Sequence, residues 1–179
     1  MDDIAKDLAL LHELEGAAFV KQLKTIVAHN GFHVLCDNPE IYTMGESGED
    51  YDNLLDAAVK AVGLGYRVYV LPNPQGFRSA DFIFVRRGIY RMYDLKTIRG
   101  KASAGNRLRE SVGQSKHVLL NIKVHYNGGR LAAEIRNFFE KNPQACEVLV
   151  FKGKRFFTVK RSYALQKDFL IKFRRRFEG

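Results

Sequence analysis

The 179-residue sequence lacks the features of several large protein classes. Its two cysteines, Cys36 and Cys146, form neither a CxxC pair nor a zinc-ligand spacing, which indicates a reducing compartment or no redox role. No apolar run approaches the roughly 20 residues that span a bilayer. The acidic, mixed N-terminus does not resemble a signal peptide. Since no internal repeat or low-complexity tract is visible either, we expect a soluble, cytoplasmic globular protein.

Charge is distributed unevenly along the chain. Residues 1–56 contain 3 basic and 12 acidic residues, whereas residues 57–149 contain 16 and 6 and residues 150–179 contain 10 and 2. The net charge of +9 therefore combines an acidic head with a strongly basic body. This asymmetry favours a polyanion such as nucleic acid as the partner, although a solvated surface would give the same counts.

Hydrophobic periodicity and turn residues predict alternating helices and strands. The predicted helices cover residues 3–29 with a break near Gly16, 54–62, 106–116, 130–141 and a basic amphipathic segment at 162–177. The predicted strands cover residues 32–36, 66–71, a hairpin at 81–96, a fully buried run at 117–124 and a terminal hairpin at 147–161. Leu108 and Val112 are expected to face the core.

This order predicts an α/β (α+β) fold with a mixed central sheet, a β-hairpin at its core and helices on its faces. The polar segment at residues 37–50 contains Pro39, Gly45 and Gly48, and we interpret it as a loop and as the best candidate for a domain boundary or a mobile segment. A helical N-terminal extension, residues 1–45, is therefore expected to precede the main domain, residues 46–179.

Three charged residues in the predicted hairpin carry the candidate chemistry. Asp94 and Lys96 are two residues apart on one strand and therefore point to the same face, and Asp81 opens the partner strand. Carboxylates on one face are costly unless something uses them. A divalent metal held by Asp81 and Asp94, Mg²⁺ or another, would stabilise a phosphorane-like transition state, and Lys96 would add positive charge. The plainer interpretation is a surface ion pair worth under about 1 kcal/mol.

The residues after the hairpin are weaker candidates. Gln114 and Lys116 are predicted at the end of a helix, where they either cap it or lie at the rim of the same site. His117 follows at the start of the buried strand. It is the histidine that we consider for acid–base work if no metal is used, although a structural strand-end residue is the plainer interpretation.

These motifs resemble known nucleases. The residues Asp81, Asp94, Leu95 and Lys96 are similar to the PD-(D/E)xK motif, with Ala80 in place of proline and Asp94 in place of glutamate. A narrower resemblance, to the C-terminal tRNA nuclease domains of CdiA-type contact-dependent inhibition toxins and their mobile-element relatives, covers about residues 50–160. The matching segments are residues 53–58, 65–68, 71–72, 80–83, 93–97, 113–116 and 118–120.

The resemblance implies a nuclease that cleaves RNA, particularly tRNA, with Asp81, Asp94, Lys96 and Gln114 in its active site and an immunity or regulatory protein as partner. His117 is added to these catalytic candidates on the acid–base argument above. A metal-dependent DNA endonuclease and a non-catalytic nucleic-acid-binding protein are the alternatives. Residues 46–179 would form the nuclease-like domain. A toxin delivered into another cell would have the same composition as a resident cytoplasmic protein.

A further group of residues is predicted to bind the nucleic acid itself. Its members are polar or basic and lie beside the motif or in the C-terminal segment: Thr97, Arg99, Lys101, Lys116, Arg174 and Arg175. For residues 167–176, phosphate binding, membrane-surface binding and a solvated helix packed by its aromatic residues are all compatible with the pattern. We expect nucleic acid rather than a membrane as the partner.

Overall fold

The computed structural model describes residues 3–45, 49–100 and 103–179. The chain divides into two compact units, Met1–Met92 and Tyr93–Gly179, and each combines a mixed sheet with helices. The predicted α/β fold class, including helices at the N-terminus, is therefore confirmed. The division of the chain at residue 45 stays a prediction. In the described part of the chain, no helix is long and apolar enough to cross a membrane.

The first unit begins with two helices that share one core. Helices α1 (Asp3–Glu13) and α2 (Gly16–His29) are separated near Gly16, where the backbone adopts a positive φ of 59° and the predicted break occurs. Their buried apolar side chains pack together with residues of the unit's sheet in one cluster, which contains Leu8, Leu11, Phe19, Leu23, Ile26, Leu71, Ala80 and Ile83. A third helix, α3 (Glu49–Gly63), follows later in the chain.

The sheet of the first unit is mixed. Its strands are β1 (His33–Leu35), β2 (Asn38–Thr43), β3 (Arg67–Val70) and β4 (Phe82–Arg86). The β1–β2 and β3–β4 pairs are antiparallel, whereas β2 and β3 are parallel. After β4 the chain turns at Arg87 and Gly88, whose φ values of 52° and 74° suit a tight hairpin turn. It continues as β5 (Ile89–Ile98), which crosses the boundary between the units.

The prediction of a loop at residues 37–50 is wrong for most of this segment. Asn38–Thr43 is strand β2, which pairs with both β1 and β3. Its polar composition concealed an alternating burial pattern in which Ile41 and Thr43 are buried and Tyr42 is not. The segment then enters α3 at Glu49, and residues 46–48 lie outside the described part of the chain.

The second unit has parallel strands at its centre. Residues 94–98 of β5 pair in parallel with β6 (His117–Ile122). Strand β6 also pairs in parallel with β7 (Glu147–Lys152), and β7 pairs antiparallel with β8 (Arg155–Lys160). Five of the six residues in β6 are buried, and the strand has a neighbour on each side. The prediction of an interior strand at this position is confirmed.

Helices cover one face of this second sheet. They are α4 (Ala104–Glu110), α5 (Gly128–Lys141), the short α6 (Arg161–Ala164) and α7 (Phe169–Glu178). Their apolar side chains pack against Ile98 and alternate residues of β6, β7 and β8 in one cluster. In α7, Phe169, Phe173 and Phe177 recur every four residues and are fully buried, with successive ring centroids 5.5 and 5.8 Å apart.

Two helix predictions in this unit need correction. The helix predicted at residues 106–116 is α4 and ends at Glu110, because the chain turns through Gly113 at a φ of 83°. Val112, expected in the core, is 51% exposed as a result. The basic helix predicted at residues 162–177 is two helices, α6 and α7, with turns between them.

Candidate functional site

Asp94 and Lys96 form a buried ion pair on strand β5. The Nζ atom of Lys96 lies 3.1 Å from Oδ2 of Asp94 and 3.4 Å from its Oδ1. The Asp94 side chain is 1% exposed and that of Lys96 is 14% exposed. The alternation of side chains along a strand places both residues on the same face, as predicted.

The sheet register gives this pair an apolar setting. Asp94 is the register partner of Val118 and Lys96 that of Leu120 on the parallel strand β6. Both of those residues belong to the core cluster beneath α4, α5 and α7, so the ion pair lies on the face that carries the helices. Moving two charges from water into such surroundings costs several kcal/mol per ion before their attraction offsets it.

Asp81 belongs to the first unit and immediately precedes β4. It is half-buried, and its backbone carbonyl oxygen accepts a hydrogen bond of 2.9 Å from the amide of Leu71. The two residues before it, Ser79 and Ala80, are buried, with 6% and 1% exposure. The segment that presents Asp81 is therefore fixed to the end of β3.

His117 lies on the opposite face of the second sheet from Asp94. It is the register partner of Glu147 on β7, and its ring lies 5.5 Å from that of Tyr93. The hydroxyl of Tyr93 donates a 2.6 Å hydrogen bond to Oε1 of Glu147, and both side chains are buried. The structure thus places His117 beside a phenol and a carboxylate, and its role in the active site stays a prediction.

The pair of Tyr93 and Glu147 was not predicted from the sequence. Glu147 is the first residue of an apolar strand, and a charged residue at a strand end is usually solvated. The sequence pattern therefore did not indicate that Glu147 is buried or that it binds Tyr93. Tyr93 directly precedes Asp94, and the period of two was the available clue that its side chain faces the other way.

Gln114 and Lys116 make contacts that organise the backbone after α4. Nε2 of Gln114 donates to the carbonyl of Glu110 at 2.7 Å, which caps the last turn of that helix. The carbonyl of Lys116 accepts a 2.8 Å hydrogen bond from the amide of Cys146, while the residue itself is exposed. Their predicted place at the rim of the site stays a prediction.

The residues predicted to bind nucleic acid differ in how accessible they are. Thr97 is half-buried on β5, Arg99 is exposed directly after that strand, and Lys101 lies outside the described residues. Arg174 is engaged with Glu178 through an Nε–Oε2 contact of 3.0 Å, whereas Arg175 is exposed on the same helix. Arg99, Arg174 and Arg175 are thus all exposed, and their binding to a phosphate stays a prediction.

The donor set for a metal consists of aspartate carboxylates. Among residues 3–45, 49–100 and 103–179, no group of three or more His, Cys, Asp or Glu side chains is arranged to hold an ion. Mg²⁺ is usually bound by only one or two carboxylates, with water and substrate phosphate as the remaining ligands. The donor chemistry of Asp81 and Asp94 therefore fits Mg²⁺, and their role as its ligands stays a prediction.

Comparisons with known proteins do not assign a family. No family model matches the sequence, and no curated protein matches it. Among solved structures, the chain is similar to a CdiA-CT/CdiI toxin and immunity complex from Burkholderia pseudomallei, at 17% identity and a TM-score of 0.43 over 64% of this chain and 89% of that one. That neighbour is of the class that the sequence resembles, but a likeness this weak assigns neither an activity nor a partner to this chain.

Proposed function

We propose that the chain is a nuclease that cleaves phosphodiester bonds of RNA, particularly tRNA, with Asp81, Asp94 and Lys96 as its catalytic residues. The observation that carries the proposal is the ion pair between Asp94 and Lys96, which is almost fully buried. A charged pair in this position needs an explanation other than stability.

Stability alone does not account for the pair. Replacing a buried ion pair by apolar residues of similar volume is often neutral or stabilising by about 1–4 kcal/mol. The register partners Val118 and Leu120 are fully buried and apolar, so apolar side chains at positions 94 and 96 would suit the same core. Retaining two charges here is therefore better explained by chemistry than by packing.

The two side chains have complementary roles in phosphodiester cleavage. Attack on a phosphodiester adds negative charge to the non-bridging oxygens, and the ammonium of Lys96 would stabilise that charge in surroundings from which water is largely excluded. The carboxylate of Asp94 would hold Lys96 in place through their 3.1 Å contact before the substrate binds. Such preorganisation lowers the cost of arranging charges during the reaction.

A divalent metal would add Lewis acidity at the phosphate and would lower the pKa of an attacking water. Asp81 and Asp94 are the residues that would hold it. If no metal takes part, Lys96 carries the charge stabilisation.

Charge supports nucleic acid as the substrate class. Residues 93–179 contain 20 basic and 7 acidic residues, and such an excess of cations attracts a polyanion. The choice of tRNA over DNA rests on the sequence resemblance alone. A metal-dependent DNA endonuclease therefore remains the second candidate.

The direct test is incubation of the purified protein with total tRNA and with plasmid DNA, in Mg²⁺, in Mn²⁺ and in chelator. Asp94→Asn, purified identically, controls for contaminating nucleases. Asp168→Asn, at the residue immediately before α7 where the side chain is 49% exposed, is the matched aspartate control. We expect tRNA cleavage by the wild type and by Asp168→Asn but not by Asp94→Asn. Cleavage of DNA alone would favour the second candidate, and binding without cleavage of either substrate would show that the protein is not a nuclease.

A further inference from the structure

His12, near the end of α1, contacts the segment that leads into Asp81. Its Nε2 atom lies 3.4 Å from the backbone nitrogen of Ala80 and 3.3 Å from Oγ of Ser79. The edge of its ring also packs on Phe77, with centroids 5.5 Å apart and planes at 79°. These contacts join positions that are 67 and 68 residues apart in the sequence.

The hydrogen bond from Ala80 defines the state of the imidazole. A backbone N–H can only donate, so Nε2 of His12 must accept and is the unprotonated nitrogen of a neutral ring. Burial lowers the pKa of His12 from its ordinary value, which favours the same neutral form. The hydroxyl of Ser79 then also donates to Nε2 rather than accepting from it.

The segment around Asp81 is thus fixed from two sides. His12 binds the two residues before Asp81, and the Leu71 amide binds the carbonyl of Asp81 itself. Ala80 and Leu71 also pack in the same apolar cluster as Leu8 and Leu11 of α1. Because β4 begins at the residue after Asp81, little backbone freedom remains at this position.

We propose that His12 is a positioning residue for the Asp81 carboxylate, and this inference rests on the function proposed above. His12 acts by holding the amide of Ala80 and the hydroxyl of Ser79, without contacting the substrate. Helix α1 lies outside residues 50–160, the part of the chain that carries the nuclease resemblance, so the resemblance does not imply this role. Helix α1 is then part of the functional unit rather than a passive extension.

A pair of isosteric substitutions tests the inference. In His12→Gln the side-chain oxygen can occupy the place of Nε2, whereas in His12→Asn the amide is shorter and corresponds to Nδ1. We expect His12→Gln to retain the wild-type kcat for tRNA cleavage, and His12→Asn to lose about 100-fold in kcat, the scale of a misplacement of about 1 Å. KM should stay near the wild-type value in both variants, because phosphate binding does not involve His12.

Two controls separate positioning from general destabilisation. His29→Asn replaces an exposed histidine on α2 and should keep the wild-type kcat. Urea unfolding of both His12 variants identifies any loss of folding, and hydrogen exchange at the Ala80 amide should be slow in the wild type and in His12→Gln but faster in His12→Asn.

The outcomes distinguish this inference from the proposed function. A wild type that cleaves neither tRNA nor DNA overturns the proposed function and leaves His12 nothing to position. An active wild type with equal kcat values for His12→Asn and His12→Gln overturns the role of His12 alone. Loss of kcat in His12→Asn with its retention in His12→Gln supports both.

Discussion

The two units have similar architecture and opposite charge. Met1–Met92 contains 9 basic and 13 acidic residues, whereas Tyr93–Gly179 contains 20 and 7. Each unit combines a mixed sheet with helices, so the fold class does not require this difference. We infer that the charge contrast reflects what the second unit binds, because net charge governs association with polyanions rather than the choice of fold.

Their interiors differ as well. Helices α1 and α2 of the first unit contribute mainly leucine and isoleucine to their core cluster, whereas α7 contributes three phenylalanines to the core cluster of the second unit. The polar groups follow a similar division, since the first unit contains the neutral contact of His12 with Ser79 and the second contains the buried charges of Asp94 and Lys96. Burying the charges of Asp94 and Lys96 costs desolvation energy in the second unit. The neutral His12 in the first unit avoids that cost.

The largest effect is expected from salt. If the second unit makes about six to ten phosphate contacts, affinity for tRNA should fall by about 10³–10⁵ between about 50 and 200 mM salt. Arg175→Ala should lower the slope of log affinity against log salt by about one, because one phosphate contact is lost. The slope is measured by fluorescence anisotropy with labelled tRNA.

Lys21→Ala provides the matched control in the first unit, where the side chain is exposed on α2. It should leave the slope unchanged. If Lys21→Ala and Arg175→Ala lowered the salt slope equally, the claim that the second unit provides the phosphate contacts would be contradicted.

The next effect concerns the aromatic core of the second unit. Phe173→Ala should lower the free energy of unfolding by about 3–5 kcal/mol, because it removes a fully buried ring that contacts Phe157, Phe169 and Phe177. Ile171→Ala on the same helix is the control, since Ile171 is 65% exposed and should change stability by less than about 0.5 kcal/mol. Urea unfolding measures both, and similar losses for the two variants would contradict this description of the core.

The regular elements with strong local signals were predictable from the sequence. The unbroken apolar run of β6 indicated a strand buried on both faces, and Asn142 followed by Pro143 marked the end of α5. Strand β2 was missed because Pro39 and its polar neighbours are typical of loops, while its pairing with β3 depends on residues far along the chain. Tertiary context overrode local composition there.

In the candidate site, too, local features were predictable from the sequence and long-range contacts were not. The period of two predicted that Asp94 and Lys96 share a face, but it carried no information on their burial. His12 could not be predicted as a contact of Ser79, since a lone histidine on an amphipathic helix has no distinctive pattern and its partner lies 67 residues away. Long-range hydrogen bonds of this kind require the folded structure.

The smallest effect is a pH dependence of stability in the first unit. Burial lowers the pKa of His12 below its ordinary value of 6.5, so the unfolded chain binds the proton more tightly than the folded one. This contribution to stability is present above the unfolded pKa of 6.5 and is lost as the pH falls through the folded pKa. The free energy of unfolding, measured with urea, should therefore decrease less between about pH 7.5 and pH 5 in His12→Gln than in the wild type. An unchanged decline in this variant, with His29→Gln as control, would contradict the neutral state of His12.

The central claim is that Asp94 and Lys96 are retained for chemistry rather than for the fold. The most direct measurement compares the double variant Asp94→Val/Lys96→Met with the wild type in urea unfolding and in tRNA cleavage. We predict that the free energy of unfolding stays within about 1 kcal/mol of the wild type or rises by up to about 4 kcal/mol. Cleavage should fall by at least about 10²–10³-fold, the scale of losing one preorganised group that stabilises charge in the transition state. A folded double variant that cleaves tRNA at the wild-type rate would contradict the claim.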